Sequence, residues 1–367
     1  MNVAIIGAGI SGLSCAVELQ RHGIIPVIFE KKSSSGYSMN FFSVILKMFH
    51  RTKDNPIDFI SSKYGLQINP HSKVKKIIME GPNRSFSAKG NHGYVFKRGE
   101  DADSLENQIA KNLSVTILNN NDVDIDDIKD SFDYIVVATG DDKIAKKLNV
   151  WNARFAAHSR IATVLGSFDV NTINMWIDTK YAKNGFCFMV PETEKKAYIS
   201  LTINEITFSE IDHYWGEFLR TRDLPYQVIE TCDREDVVGF CKPVKIDNVI
   251  FTGNTAGVID STFGFGTLNA IESGFLAARS IINNTNYYES LKPITEYVKK
   301  LCEFRTALDD FDNKDYDNLM LLMSMPGIKQ VLYNTSIGNA GNTTVLASLL
   351  NKIKTKECNS DKWMEGK

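Results

Sequence analysis

The chain has 367 residues, 43% hydrophobic and 23% charged, with a net charge of −2. That describes a soluble globular protein with room for two medium domains or one with an insertion, and it excludes the basic signature of a nucleic-acid binder. Six cysteines, at 15, 187, 232, 241, 302 and 358, form no CxxC pair, and no His/Cys cluster has zinc-ligand spacing, so free thiols in a reducing compartment and no metal are expected.

Residues 3–6 are a continuous apolar run stopped by Gly7, the pattern of a strand buried on both faces rather than of a signal peptide. The spacing of Leu13, Ala16, Val17 and Leu19 predicts a helix over 11–22, and 25–29 reads as a second strand ending at Glu30, which makes a βαβ start. Residues 33–36 read as a loop, 40–65 as helical, and 66–95 as short strands and turns. A helix is expected over 104–113, then strands over 115–118 and 133–139, the second ending at Gly140. Short runs at 160–165, 172–178, 186–190 and 197–203, separated by turns, predict an antiparallel sheet. A helix near 209–221 follows, then a buried strand at 248–252, a glycine-rich turn and a helix over 267–283. Residues 286–351 read as mostly helical and 355–367 as a frayed polar end. No apolar stretch approaches the roughly 20 residues that span a bilayer, so a cytoplasmic location is expected. The short apolar runs 41–49 and 319–325 leave peripheral membrane contact open.

Three segments carry chemistry. The first is Gly7-Ala8-Gly9-Ile10-Ser11-Gly12, placed between a strand and a helix, with the next strand ending in Glu30. In such a turn Gly7 permits the tight bend, Gly9 lets a pyrophosphate approach the backbone, and Gly12 lets the helix pack on the strand. The helix N-terminus offers free N–H groups to phosphates, and Glu30 can accept hydrogen bonds from ribose hydroxyls. The second is a buried strand ending Ala138-Thr139-Gly140, which sets small residues beside a cofactor edge. The third runs from Val249 to Thr267, with small residues at Gly253, Ala256, Gly257, Gly264 and Gly266 leading into a helix. Backbone rather than side chains then lines a planar ligand, and the helix aims its positive end at it, where a reduced flavin carries negative charge.

Together these segments resemble the FAD-binding motifs of glutathione-reductase-type flavoproteins, and more narrowly the branch of geranylgeranyl reductases and para-hydroxybenzoate-hydroxylase-like monooxygenases. The resemblance covers about residues 1–285 and includes Arg98, which follows Gly93-Tyr94-Val95-Phe96-Lys97. It implies an α/β fold: a Rossmann-type FAD-binding domain (1–70, 96–150 and 247–285), an inserted antiparallel β-sheet substrate domain (71–95 and 151–246) and a helical C-terminal region (286–367). It places Gly7, Gly9 and Gly12 at the pyrophosphate, Glu30 at the adenosine ribose, Arg98 near the phosphates or ribityl chain, Asn254 at the ribityl or pyrophosphate region, and Gly264, Gly266 and Thr267 along the isoalloxazine. Ala8, Ile10, Ser11, Lys31, Val123, Ala138, Thr139, Gly140, Gly253 and Gly257 complete the candidate cofactor-binding set. The chain departs from the pattern at Asn254, where the family has Asp, and at Ser261 and Thr262, where it has proline. It also lacks the cysteine–glycine element that many prenyl reductases carry after the first acidic residue.

With one dinucleotide fingerprint and no CxxxxC near it, the chain is unlike the disulfide reductases. An external reductant, NAD(P)H binding transiently or a protein donor, must then reach the flavin. The expectation is an FAD-dependent oxidoreductase acting on a small apolar, aromatic or isoprenoid-like substrate as reductase or monooxygenase. The alternative is a flavin-binding protein without net redox turnover, an electron-transfer module or a cyclase-like isomerase. Trp151, Phe155, Phe168, Trp176, Phe186, Phe188 and Trp215 are candidates to line the substrate cavity. No catalytic residue is assigned; His158 and His213 qualify by residue type only. The 287–350 region is a candidate cap over the substrate site.

Overall fold

The computed structural model describes residues 1–35, 41–49 and 55–328. In chain order the first elements are β1 (Val3–Ile6), α1 (Ile10–Arg21), β2 (Val27–Phe29), β3 (Phe41–Leu46), α2 (Pro56–Tyr64), β4 (Ser72–Glu80) and β5 (Ser85–Arg98). Next come α3 (Leu105–Ala110), β6 (Ile117–Leu118), α4 (Ile125–Ile128), β7 (Tyr134–Val137), α5 (Lys143–Lys147), β8 (Trp151–Leu165), β9 (Thr172–Trp176), α6 (Thr179–Ala182), β10 (Phe186–Pro191) and β11 (Lys196–Asn204). The last are α7 (Ile211–Arg222), β12 (Gln227–Cys241), β13 (Lys245–Ile246), β14 (Val249–Phe251), α8 (Thr267–Ile282), α9 (Tyr287–Asp309) and α10 (Asn313–Ser324).

Six strands form the first sheet, in the order β13-β14-β7-β1-β2-β6. β1 is parallel to β2 and β7, with Ala4 opposite Val27 and Ile135, and β14 is parallel to β7. All four β1 residues are buried, as a central parallel strand covered on both faces requires. α1 and α8 pack tightly together. A Cβ on Gly274 of α8 would stand 2.2 Å from the Ser11 carbonyl oxygen, so only glycine allows that approach.

The second sheet has eight strands in the order β12-β8-β11-β10-β9-β4-β5-β3. Its two faces are distinct because side chains alternate along each strand. On one face Trp176, Cys187, Met189, Ile199 and Leu201 bury against α6 and α7. On the other, Ile173, Phe186, Val190 and Tyr198 pack toward α9 and α10. The sheet curls until distant strands touch. Phe42 of β3 meets Tyr198 of β11 edge to face at 5.3 Å, and Arg234 of β12 lies 5.4 Å from the Phe41 ring. α10 is fastened across this sheet. The Asp317 carboxylate accepts from the backbone N–H groups of Asn83 and Arg84 in the β4–β5 turn, and Asn313 Oδ1 accepts from Thr179 N.

Three expectations are corrected. Within 40–65, Phe41–Leu46 is a strand of the second sheet, antiparallel to β5 with Phe41 opposite Arg98. A short apolar run fits either state, and here the partner strand decides. The helix begins only at Pro56, where the Asn55 side chain accepts from Ile57 N. The rest of the expected helix, 40 and 50–54, lies outside the described residues. Residues 66–95 hold a long hairpin rather than short strands, with β4 and β5 nine and fourteen residues long. β12, fifteen residues long, was not expected at all. Its Glu-Thr-Cys-Asp-Arg-Glu-Asp stretch lacks apolar alternation, and its pairing with β8 from Gln227 opposite Leu165 to Cys241 opposite Trp151 holds it in the sheet. The expected frayed end, 355–367, also lies outside the described residues.

Candidate functional site

A single cavity of about 640 Å³ runs from the β1–α1 turn across the inner face of the second sheet to α10. One end is built by the first sheet. Gly7 has φ +104°, and a Cβ there would fall 2.5 Å from the Ala138 carbonyl oxygen, so the turn closes directly on the end of β7. A Cβ on Gly9 would meet no protein atom nearer than 4.0 Å, which leaves the approach to the backbone open. Gly12 serves packing alone, since its Cβ would stand 2.1 Å from the Gly7 carbonyl oxygen. Among the described residues no side chain caps the α1 N-terminus at Gly9 or the α8 N-terminus at Gly266, and both helix ends line the same cavity. Two sets of backbone donors therefore face one space.

The Glu30 carboxylate is buried at this end, with Oε2 accepting from Ala8 N at 2.8 Å and Oε1 from Lys32 N at 2.9 Å. Each oxygen keeps a second acceptor site. Lys31 lines the cavity and pairs with Asp141 at 3.4 Å. Across the opening, Gly140 N donates to Thr255 Oγ1 at 2.9 Å, tying the ends of β7 and β14 together. Arg98 donates to Glu106 Oε1 at 2.7 Å and lies 5.4 Å from the Phe41 ring. Glu106 is fully buried, and its Oε2 has no hydrogen-bond partner among the described residues.

Between the cofactor end and the sheet lies the 257–267 loop, pinned by Asp260. Its carboxylate accepts from Thr262 N at 2.7 Å and Phe263 N at 3.2 Å, while its own N–H donates to Phe265 O at 3.0 Å. Burial pushes this carboxyl up to about 6, against the pull of those donors. Behind the loop the buried Arg154 donates to Ser261 Oγ at 3.0 Å and Thr306 Oγ1 at 2.8 Å and touches Cys302 Sγ, so the loop is tied to α9. Phe263 and Phe265 point into the cavity, with Phe263 edge-on to Phe186 at 5.7 Å.

Of the sequence candidates, Gly7, Gly9, Ile10, Ser11, Glu30, Lys31, Arg98, Ala138, Thr139, Gly140, Asn254, Gly264, Gly266 and Thr267 line this cavity. Ala8, Gly12, Gly253 and Gly257 sit just behind the wall, and Val123 packs against the first core. Among the aromatic candidates Phe155, Phe186 and Phe188 line the chamber. Phe168 and Trp176 lie on the opposite face of the sheet, where Trp215 of α7 packs with them, and Trp151 packs on the first core. His158 also faces away from the chamber: its neighbour Ser159 lines it, and alternation sends the imidazole to the other side, against Phe208. His213 is exposed on α7. The C-terminal helices do cap the chamber, through Phe304, Leu308, Tyr316, Leu319 and Met323. Leu321 and Met325 are exposed, and no described helix is long and apolar enough to cross a membrane.

Reading the sequence missed a polar stripe on the chamber wall: Ser200, Thr202 and Asn204 of β11, with Ser159 of β8. Its signal was present as alternation, polar residues at 200, 202 and 204 between Ile199, Leu201 and Ile203. Such a pattern normally means a solvent-facing side. Here α7 covers the apolar side, and the polar side faces the cavity.

Residues 5–68 match a family model described as an NAD(P)-binding Rossmann-like domain. Most of the chain also superposes on solved structures. A geranylgeranyl bacteriochlorophyll reductase-like protein from Thermoplasma acidophilum aligns with a TM-score of 0.70 at 15% identity, over 96% of this chain and 98% of that one. The chain shares their fold. A flavoprotein/dehydrogenase from Cytophaga hutchinsonii gives 0.64 at 14% identity over 97% and 99%. CmlS, a flavin-dependent halogenase, gives 0.63 at 15% over 95% and 70%.

Proposed function

We propose that the protein is an FAD-dependent oxidoreductase that acts on a small apolar substrate. One observation carries this: the dinucleotide-type glycine turn and an apolar chamber walled by the second sheet open into the same cavity, with the 257–267 loop between them. The residues present fit the cofactor. The uncapped α1 N-terminus and the open space above Gly9 suit a pyrophosphate. The spare acceptor sites of Glu30 suit ribose hydroxyls, and the uncapped α8 N-terminus suits the end of the flavin that gains negative charge on reduction. When bound, FAD supplies two-electron hydride chemistry.

The chain's own part is binding, orientation and exclusion of water. Thr139, Gly140 and Asn254 flank the groove, and Gly264 to Thr267 present backbone along it. Phe186, Phe188, Phe263 and Phe265 form the apolar boundary between cofactor groove and chamber. The chamber's far end, with Ile77, Met79, Met175, Leu319 and Met323, is apolar and adaptable, since methionine fills irregular shapes. NAD(P)H is the proposed transient donor, entering from solvent, and the free thiols fit a cytoplasmic setting.

The test is the visible spectrum of purified protein, as isolated and after reconstitution with FAD, followed by anaerobic NADPH. Oxidised-flavin bands that bleach support the proposal. Bands that persist in NADPH but bleach with dithionite replace the nicotinamide donor by a protein donor. Protein that takes up NADPH but no FAD overturns the reading.

A further inference from the structure

The chamber is not uniformly apolar, and the distribution of its polar groups specifies a substrate feature. Register across the second sheet puts Thr202 of β11 opposite Phe186 on one side and Ser159 on the other, and Ser159 opposite Arg234 of β12. One row therefore runs from a phenyl ring through two hydroxyls to a guanidinium. Ser200 and Asn204 flank Thr202 on the same face. Ser159 Oγ and Thr202 Oγ1 share a hydrogen bond at 2.8 Å, which uses one of their two protons and leaves the other to point elsewhere. The side chains of Ser200, which is buried, and Asn204, which is half-buried, have no hydrogen-bond partner among the described residues, although both line the cavity. Polar groups placed so are satisfied by a ligand or by water.

Charge narrows the ligand's chemistry. Next to this stripe, β12 carries Asp233, Arg234, Glu235 and Asp236; alternation, with Arg234 opposite Ser159, turns Arg234 and Asp236 to the chamber and Asp233 and Glu235 to the outer face, opposite Arg160 and His158. Arg234 is already paired with Asp236, and Asp233 takes Arg160 at 2.6 Å from outside the cavity. An anionic head group would have to compete with Asp236 for a guanidinium that is already compensated, whereas a neutral hydroxyl or carbonyl would meet the donors and acceptors of the stripe at no charge cost.

We infer that the substrate is a neutral amphiphile, with a hydroxyl or carbonyl group bound by Ser159, Ser200, Thr202 and Asn204 and an apolar body lying against Phe186, Met79 and Met323. The inference rests on the proposed function only for the chamber being the substrate site. Binding of a head group is measurable without turnover.

The experiment is displacement of the neutral dye Nile red from the full-length protein by 1-octanol, octanoate, octyl phosphate and octane, with FAD content recorded separately. The expected order is octanol first, ahead of octane by about tenfold, the factor carried by one or two hydrogen bonds. Octanoate and octyl phosphate fall behind octanol. In S159A/T202V, which preserves volume and apolar fit, the octanol advantage over octane shrinks to about twofold while octane affinity holds. Octanoate or octyl phosphate displacing the dye better than octanol overturns the inference, as does equal binding of octanol and octane to the wild type. Octanol selectivity in protein that takes up no FAD leaves the inference standing and removes the oxidoreductase reading instead.

Discussion

Asp260 makes the 257–267 loop, and its burial makes that loop pH-sensitive. Its carboxyl is raised from 3.8 to about 6, chiefly by loss of solvent. Between those two values the folded protein binds more protons at this site than the unfolded chain does, so stability falls as pH rises. The contribution is fully present below pH 3.8 and is lost as pH passes through about 6. A shift of about two pH units corresponds to about 3 kcal/mol at most. Replacing Asp260 with Asn removes the titration. One amide acceptor, to Thr262 N, survives, and the weaker one to Phe263 N becomes a donor facing a donor, which costs about 1–2 kcal/mol. Urea unfolding of wild type and D260N at several pH values from 4.5 to 7.5 isolates the site, because all other groups cancel in the difference. The stability of wild type relative to D260N should fall by about 2 kcal/mol over that range, the rest of the effect lying below pH 4.5. A difference that stays constant with pH, or rises, would refute the reasoning from burial.

Gly9→Ala separates cofactor binding from folding: the added Cβ meets open space in the protein, so thermal stability of the apoprotein should hold while FAD affinity, followed by flavin fluorescence quenching, drops by about tenfold. Gly274→Ala should do the reverse first, forcing α8 off α1 against the Ser11 carbonyl and costing about 1–3 kcal/mol in urea unfolding; a cost under about 0.5 kcal/mol would mean the helices part freely. Arg98→Met strands the fully buried Glu106 carboxylate and should cost about 3–5 kcal/mol, whereas R98M/E106L should recover most of it. If the double variant is no more stable than R98M, the pair is not the source of the loss.

The first sheet and its cofactor end were legible because their signals are local. Val3–Ile6, the glycine turn and Glu30 lie within thirty residues, and each strand there is a short apolar run with one reading. The second sheet was legible only where strands alternate over an apolar face, as in β10 and β11. β3 and β12 failed for opposite reasons, one too apolar to distinguish from a helix and the other too charged to look like a strand. Both are sheet edges, where partner geometry rather than sequence pattern fixes the state. The inward polar stripe of β11 misled for a related reason. Which side of an amphipathic strand meets solvent is decided by α7, which packs from elsewhere in the chain.

Those two edges also explain how one sheet encloses a chamber. β12 has a bulge between Val228 and Glu230 and a run of charges, devices that discourage hydrogen bonding to another strand. β3 therefore approaches it without a ladder. Contact is made instead through Phe41 of β3, whose ring stands 5.4 Å from the guanidinium of Arg98 on the neighbouring β5 and 5.4 Å from that of Arg234 on β12 across the seam. Each such contact is worth about 0.5–2 kcal/mol, far less than a strand's worth of backbone hydrogen bonds. The gain is geometric. A ladder would hold the two strands about 4.8 Å apart and squeeze the interior, as in a small closed barrel whose side chains fill the lumen. Side-chain closure keeps them wider, so the space between Phe186, Tyr198 and Met323 stays open, and both arginines end beside the cofactor groove and the hydroxyl stripe. The chamber and its polar head-group site are thus consequences of the same unpaired seam.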